Sequence, residues 1–94
     1  MKIQVRSVSP VKQILAGRKI FVEVADGSSL HDLLKDLTAK YGQEFFDAVC
    51  DESGYPENRV AILVNGTHAG VLGGVRVSLR DGDDVLILPV SGGG

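Results

Sequence analysis

The chain has 94 residues and a mass of 10.0 kDa, which is the size of one small domain. Hydrophobic residues make up 44% of it and charged residues 23%, so a wholly disordered chain is excluded. The net charge is −2, and without a basic excess we expect no nucleic-acid partner. No apolar run approaches the length needed to span a bilayer, so we expect no membrane partner either.

The cysteine and histidine content limits the metal and redox chemistry. With Cys50 as the single cysteine, no internal disulfide, four-cysteine zinc site or iron–sulfur cluster can be built. We expect Cys50 to be a small hydrophobe rather than a nucleophile. His31 and His68 lack a third ligand at matching spacing, so we predict no metal site and no bound cofactor. Because Met1–Arg6 lacks the apolar core of a signal peptide, we expect a cytoplasmic protein.

The first quarter of the chain predicts two strands. Lys2–Val8 and Lys19–Val24 both alternate apolar and polar side chains, which is typical of half-buried strands. Pro10 cannot donate to a strand ladder and ends the first of them. We expect residues 11–17 to form a turn, so that the two strands pair as a hairpin with a wide loop.

The next segment predicts the main helix of the domain. Ser29 and Asp32 resemble a capping box, with a carboxylate shorter than the usual glutamate. Gly42 supplies a helix stop. A second, short helical turn is expected at 44–49. The main helix carries one apolar stripe at a 3.6-residue period, formed by Leu30, Leu33, Leu34, Leu37 and Tyr41.

The second half of the chain predicts the remaining strands. Val60–Val64 is a β-branched apolar run followed by the tight-turn pair Asn65-Gly66. Residues 75–79 alternate again and are expected to form a strand. Residues 85–88 are apolar on both faces, which indicates a strand in the interior of the sheet.

The order of these elements predicts the fold. Strands before and after one amphipathic helix indicate an α+β domain of the β-grasp (ubiquitin-like) type. Its mixed sheet of four to five strands would be covered by one main helix. We predict that this domain spans residues 1–89 and that residues 90–94 form a flexible glycine-rich tail.

The end of the sequence is the candidate reactive group. Gly92, Gly93 and Gly94 have no side chains, so this segment can enter a channel too narrow for a Cβ atom. A terminal carboxylate is a poor electrophile, and it must be activated by another enzyme, with ATP, as an acyl-adenylate. The alternative is a glycine tail without a function.

The C-terminal third of the chain closely resembles a known family, and the predicted β-β-α start agrees with that family's fold. Its order of segments is 60–66, Leu72-Gly73-Gly74, 79–85 and then Pro89-Val90 before the glycines. This order is similar to that of the small sulfur-carrier subunit of molybdopterin synthase, in the ubiquitin-like family that also includes the thiazole-pathway sulfur carrier.

Two features depart from the family pattern. The family commonly has two prolines before the tail, and here Val90 stands where the second would be. The family ends in two glycines and this sequence in three, so Gly92 replaces a larger residue and Gly93-Gly94 is the working pair. The alternative is that Gly94 is an extra residue that must be removed.

The resemblance implies that this protein is at once substrate and subunit. An adenylating enzyme similar to ubiquitin-activating enzymes would use ATP-Mg to convert the Gly94 carboxylate to an acyl-adenylate. A persulfide donor would then supply the sulfur of a C-terminal thiocarboxylate. The large subunit of molybdopterin synthase would receive the tail through Gly92 and Gly93. Ile62, Leu88 and Val90 are the candidate docking residues for a partner, and no autonomous active site is expected.

Other functions remain open on the sequence alone. A ubiquitin-like modifier would use the same activated terminus to form an isopeptide with a lysine. A thiazole-pathway carrier and a β-grasp interaction domain without chemistry are further alternatives. Asp81, Asp83 and Asp84 lie close together and fit either a basic partner surface or a solvated turn.

Overall fold

The structure is a computed structural model that describes residues 1–8, 11–15 and 17–89. The strands are β1 (Lys2–Ser7), β2 (Lys19–Glu23), β3 (Val60–Val64), β4 (Thr67–His68) and β5 (Asp84–Pro89). The helices are α1 (Val11–Ile14), α2 (Leu30–Tyr41) and α3 (Gln43–Val49). Two 3₁₀ turns, Ala69–Leu72 and Gly74–Arg76, connect β4 to the segment that leads into β5.

The five strands form one mixed sheet in the order β2-β1-β5-β3-β4. β1 and β5 are parallel, whereas the pairs β1–β2, β3–β5 and β3–β4 are antiparallel. β5 therefore lies at the centre, as predicted from its apolar residues on both faces. The sheet and its covering helix confirm the β-grasp fold.

α2 covers one face of the sheet with the predicted apolar stripe, and its bounds agree with the prediction. Its first turn is held by a capping box. The Asp32 amide donates to Ser29 Oγ at 3.2 Å and the Ser29 amide donates to Asp32 Oδ2 at 3.0 Å. At its other end the Gly42 amide donates to the Thr38 carbonyl at 2.7 Å, with Gly42 at φ +83°, a backbone conformation that favours glycine.

The hydrophobic core lies between this helix layer and the inner face of the sheet. Alternate strand residues point into it, among them Ile3, Val5, Val85 and Ile87, which are fully buried. The short helical turn predicted at 44–49 is confirmed as the helix α3, which buries Phe45 and Val49 in the core. No helix in the described ranges is long and apolar enough to cross a membrane.

Two predictions about local structure are wrong. Residues 11–17 were expected to form a turn, but Val11–Ile14 is a short helix whose Val11 is fully buried. Residues 75–79 were expected to form a strand, but Gly74–Arg76 is a 3₁₀ turn and only an isolated bridge joins Ser78 to Ser29. The missing strand is explained by the two glycines just before its predicted start. Gly73 and Gly74 have φ values of +107° and +81°, which are incompatible with an extended strand.

Candidate functional site

The root of the predicted tail lies at the end of the central strand. Pro89 is the last residue of β5 and pairs with Val60 of β3, while Ile87 pairs with Ser7 at the end of the parallel strand β1. The described chain therefore reaches Pro89 as part of the sheet, paired there with β3. Val90 and the three glycines Gly92, Gly93 and Gly94 lie outside the described residues, so their roles stay predictions.

An apolar patch lies on the outer face of the sheet, away from the helices. Ala61 pairs with Leu88 and Leu63 with Leu86, and all four are only partly buried. We call these four residues the outer patch. It adjoins the root of the tail because Leu88 directly precedes Pro89. A protein that received the tail would therefore cover apolar surface as it bound.

The structure divides the predicted docking residues between the two faces. Leu88 belongs to the outer patch, as a docking role requires. Ile62 is only 2% exposed and pairs with the fully buried Ile87, so it faces the core and cannot form a docking surface. Its neighbours Ala61 and Leu63 are the outward residues that the sequence analysis missed. Because β3 is apolar at every position, its sequence does not show which side chains face the core, and that becomes clear from its register against β5.

A polar network borders the outer patch where β1 meets β5. Arg6 holds the Asp84 carboxylate with two hydrogen bonds, from Nε at 2.8 Å and from Nη2 at 2.7 Å. Gln4 Nε2 donates to the same carboxylate at 2.7 Å. The hydrogen bonds from Arg6 are the main reason that the pKa of Asp84 lies below its usual range. The network ties the N-terminal strand to the strand that carries the tail.

The acidic turn before β5 serves the chain itself. Asp81 Oδ1 accepts from the Lys2 amide at 2.7 Å, and Asp83 Oδ2 accepts from the Arg80 amide at 2.8 Å. Asn65 joins this turn to the end of β3, because its side chain donates to Asp83 at 3.0 Å and accepts from the Asp84 amide at 2.9 Å. These carboxylates therefore fix the start of β5, which favours the structural interpretation of the turn over a docking role.

The remaining chemical candidates are Cys50, which follows α3, and His68 in β4. Cys50 is 4% exposed, and burial first, then Asp51 and Glu57, raise the pKa of its thiol to about 11. A thiol with that pKa is protonated near neutral pH and is a weak nucleophile. His68 Nδ1 accepts from the Gly70 amide at 2.9 Å and so caps a 3₁₀ turn. The described part of the chain contains no group of three or more His, Cys, Asp or Glu residues that could hold a metal ion.

Comparison with known proteins decides between the families that share this fold. The sequence profile of the ThiS family matches residues 10–94. The chain belongs to the ThiS family. It is thereby a member of a group of ubiquitin-like sulfur carriers and modifiers.

Similar proteins include a small archaeal modifier protein and a protein described as a molybdopterin converting factor subunit. Small archaeal modifier protein 3 of Haloferax volcanii is 28% identical over 94 residues, which cover 100% of each chain. A Haloferax volcanii protein solved in solution has a TM-score of 0.85 at 26% identity, covering 100% of this chain and 87% of its own. A Pyrococcus furiosus protein described as molybdopterin converting factor, subunit 1, has a TM-score of 0.77 at 27% identity, covering 97% and 99%.

Proposed function

We propose that this ThiS-family protein is a sulfur carrier for the biosynthesis of molybdopterin. Molybdopterin is the pterin cofactor of molybdenum or tungsten enzymes. The carboxylate of Gly94 would be adenylated by a partner enzyme and converted to a thiocarboxylate. The observation that carries the proposal is the path of β5, a central strand that ends at Pro89 beside the outer patch, just before the glycine segment. The Pyrococcus furiosus relative supports the molybdopterin branch.

The proposed chemistry has three steps, all at atoms that a partner must align. The Gly94 carboxylate attacks the α-phosphate of ATP, which is bound with Mg²⁺ by the adenylating enzyme, and pyrophosphate leaves. The terminal sulfur of a protein persulfide attacks the acyl carbon and AMP leaves. A second thiol then cleaves the acyl disulfide at its S–S bond, so the thiocarboxylate stays on Gly94 and the donor leaves as a disulfide.

This chain's own contribution would be delivery rather than catalysis. Gly92 and Gly93 would let the backbone pass a channel that excludes a Cβ atom. Leu88 and the rest of the outer patch would dock on the adenylating enzyme and later on the large subunit of molybdopterin synthase. Because Cys50 is buried with a raised thiol pKa, the sulfur is expected to travel on the C-terminus and not on this side chain.

The test is the intact mass of the protein after incubation with ATP-Mg, the adenylating enzyme and a persulfide donor. We expect one oxygen to be exchanged for sulfur, with fragmentation placing the change on Gly94. A Cys50→Ser variant should give the same product, which separates a terminal thiocarboxylate from a persulfide on the thiol. A variant that lacks Gly93 and Gly94 should fold normally and take up no sulfur.

The possible results distinguish the carrier function, the removal of Gly94 and the role in molybdopterin synthesis. An unmodified wild-type carboxylate under these conditions would overturn the carrier function. Sulfur on Gly93 after loss of one residue would mean that Gly94 must first be removed. If the thiocarboxylate forms but the large subunit cannot use it to sulfurate the pterin precursor, the molybdopterin branch is wrong and the thiazole branch is the next to test.

The second candidate is a protein modifier, and the similarity to small archaeal modifier protein 3 favours it. In that case the ε-amine of a lysine attacks the same acyl-adenylate, or a thioester made from it, and forms an isopeptide. Peptides in which Gly94 is joined to a lysine of another protein would establish this function. Carrier and modifier share the adenylation step, so finding one product does not exclude the other.

A further inference from the structure

The charged residues of this chain are divided between two regions. Residues 1–22 contain five basic residues and no acidic one. Residues 23–94 contain five basic and twelve acidic residues. The overall charge of −2 therefore combines a basic N-terminal hairpin, in which Glu23 at the end of β2 is the one acidic residue, with an acidic remainder, and such a local field can orient a charged partner.

The topology brings the basic hairpin to the end of the sheet where β5 ends. β1 runs parallel to β5, so both strands end on the same side, and the antiparallel strand β2 begins there. Arg18 directly precedes Lys19, the first residue of β2, and its carbonyl accepts from the Ser7 amide at 2.9 Å. Both cations are exposed, and Lys19 lies opposite Arg6, which in turn pairs with Leu86 of β5.

A groove opens between these residues on the surface. It has a volume of about 410 Å³ and is lined by Arg6, Ser7, Val8, Arg18, Lys19 and Leu86. Val8, which is 41% exposed, and Leu86 supply apolar lining, while Arg6, Arg18 and Lys19 supply positive charge. Leu86 also belongs to the outer patch, so the groove and the patch are continuous.

The charges of this groove are only partly neutralised within the molecule. Arg6 is paired with Asp84 at 2.7 Å, and Lys19 also lowers the pKa of Asp84. Arg18 forms no salt bridge within residues 1–8, 11–15 and 17–89. Asp84 thus pairs with Arg6 and interacts with Lys19, while Arg18 has no salt bridge among the described residues, which leaves excess positive charge around an apolar floor.

We propose that this groove docks an acidic segment, with an apolar side chain among its carboxylates, on the enzyme that adenylates the C-terminus. The inference rests on the proposed function only through the adenylation step, which the carrier and the modifier share. Five residues separate Pro89 from the terminus, at most about 18 Å of extended chain, so a protein that receives the terminus approaches the end of β5, and the groove lies at that end of the sheet. The apolar side chain fills the floor over Val8 and Leu86, while the carboxylates face Arg18 and Lys19. This contact would fix the carrier's orientation before its tail is engaged.

Charge reversal tests the proposal. The double variant Arg18→Glu, Lys19→Glu is compared with Lys35→Glu, Lys40→Glu, which changes the net charge equally on the exposed side of α2. The rate of ATP–pyrophosphate exchange by the adenylating enzyme is measured against the concentration of carrier. We expect the groove variant to raise KM by about tenfold with little change in kcat, because peripheral charges act mainly on association. The α2 variant should leave both within about twofold.

Salt provides a second readout that a folding defect would not mimic. The wild-type KM should rise with added KCl, and this dependence should be weaker in the groove variant. Thermal unfolding checks that both double variants are folded. If the groove variant is not folded, the milder double variant Arg18→Gln, Lys19→Gln takes its place. Equal KM values and equal salt dependence for the groove and α2 variants would overturn the proposal.

The apolar floor and the partner are tested separately. Val8→Gln makes the floor of the groove polar and keeps the net charge. A raised KM would support a partner side chain that fills the groove. An unchanged KM would mean that only the charges contribute to binding, and the proposed groove contact would be wrong. A photo-crosslinking amino acid in place of Val8 should capture an enzyme peptide that contains Asp or Glu. Capture of a peptide without acidic residues would also contradict the proposal. Absence of any exchange with the wild type would instead overturn the proposed function.

Discussion

The two faces of the sheet use neighbouring residues of the same strands for different purposes. On the inner face Val85 and Ile87 are fully buried against the helices. On the outer face Leu86 and Leu88 carry similar side chains but are only partly buried. Alternation along one strand thus separates the residues that hold the fold together from those that a partner can reach, and a shift in register by one residue would exchange the two roles.

The largest effect on stability is expected from the inner face. Ile87→Ala leaves a cavity in the core, and such truncations cost about 2–5 kcal/mol of unfolding free energy. Leu88→Ala, one residue further along β5, should cost about 1 kcal/mol or less, because the side chain is already partly in water. Denaturant unfolding of both variants makes the measurement. Equal losses would contradict the division between the two faces.

The sequence predicted the elements whose signals are local. Ser29 and Asp32 form the expected capping box, and the leucine stripe gave the bounds of α2, because a cap and a helical period need only neighbouring residues. The central position of β5 was also predicted from its apolar residues on both faces, although Leu86 and Leu88 on the outer face are only partly buried.

The failures concern long-range geometry and backbone conformation. Ile62 and Leu88 were grouped as docking residues, although the β3–β5 register puts them on opposite faces. That register joins strands far apart in the chain, with no short turn to set it. Val75 and Val77 alternate as a strand would, but the positive φ angles of Gly73 and Gly74 direct the chain into 3₁₀ turns. The outer patch and the basic groove each join residues from different strands, so no local sequence motif predicts them.

A smaller effect, on binding rather than on stability, is expected from the outer patch. Leu88→Ser removes apolar surface next to the root of the tail and should weaken binding to the adenylating enzyme by about 1–2 kcal/mol. Val71→Ser is the matched control, because Val71 is an exposed apolar residue, 77% accessible, in the 3₁₀ turn after β4. Titration calorimetry with the enzyme compares them. If both variants bind as the wild type does, the outer patch is not a docking surface.

The smallest effect concerns the link between β1 and β5 that borders the outer face. Because Arg6 and Gln4 bind the Asp84 carboxylate, its pKa is lower in the folded chain than in the unfolded one. Its ionised form therefore stabilises the fold above the unfolded pKa of about 4, and this contribution disappears as the pH falls through the lower folded pKa. Asp84→Asn should lower Tm at pH 7 by at most about 5 °C, because the pair is partly exposed and water screens it.

The pH dependence makes this last prediction specific. The difference in Tm between wild type and Asp84→Asn should be constant from about pH 7 to pH 5 and should shrink below about pH 4, where the wild-type carboxyl becomes protonated. Asp36→Asn, at an exposed position of α2, is the control for the loss of one carboxylate elsewhere on the surface. A difference that persisted unchanged at low pH would mean that Asp84 acts through the shape of the turn. The asparagine amide would then fail as a replacement because its NH2 group cannot accept a hydrogen bond from Arg6 or Gln4, and the charge of the ion pair would be incidental to the joining of the two strands.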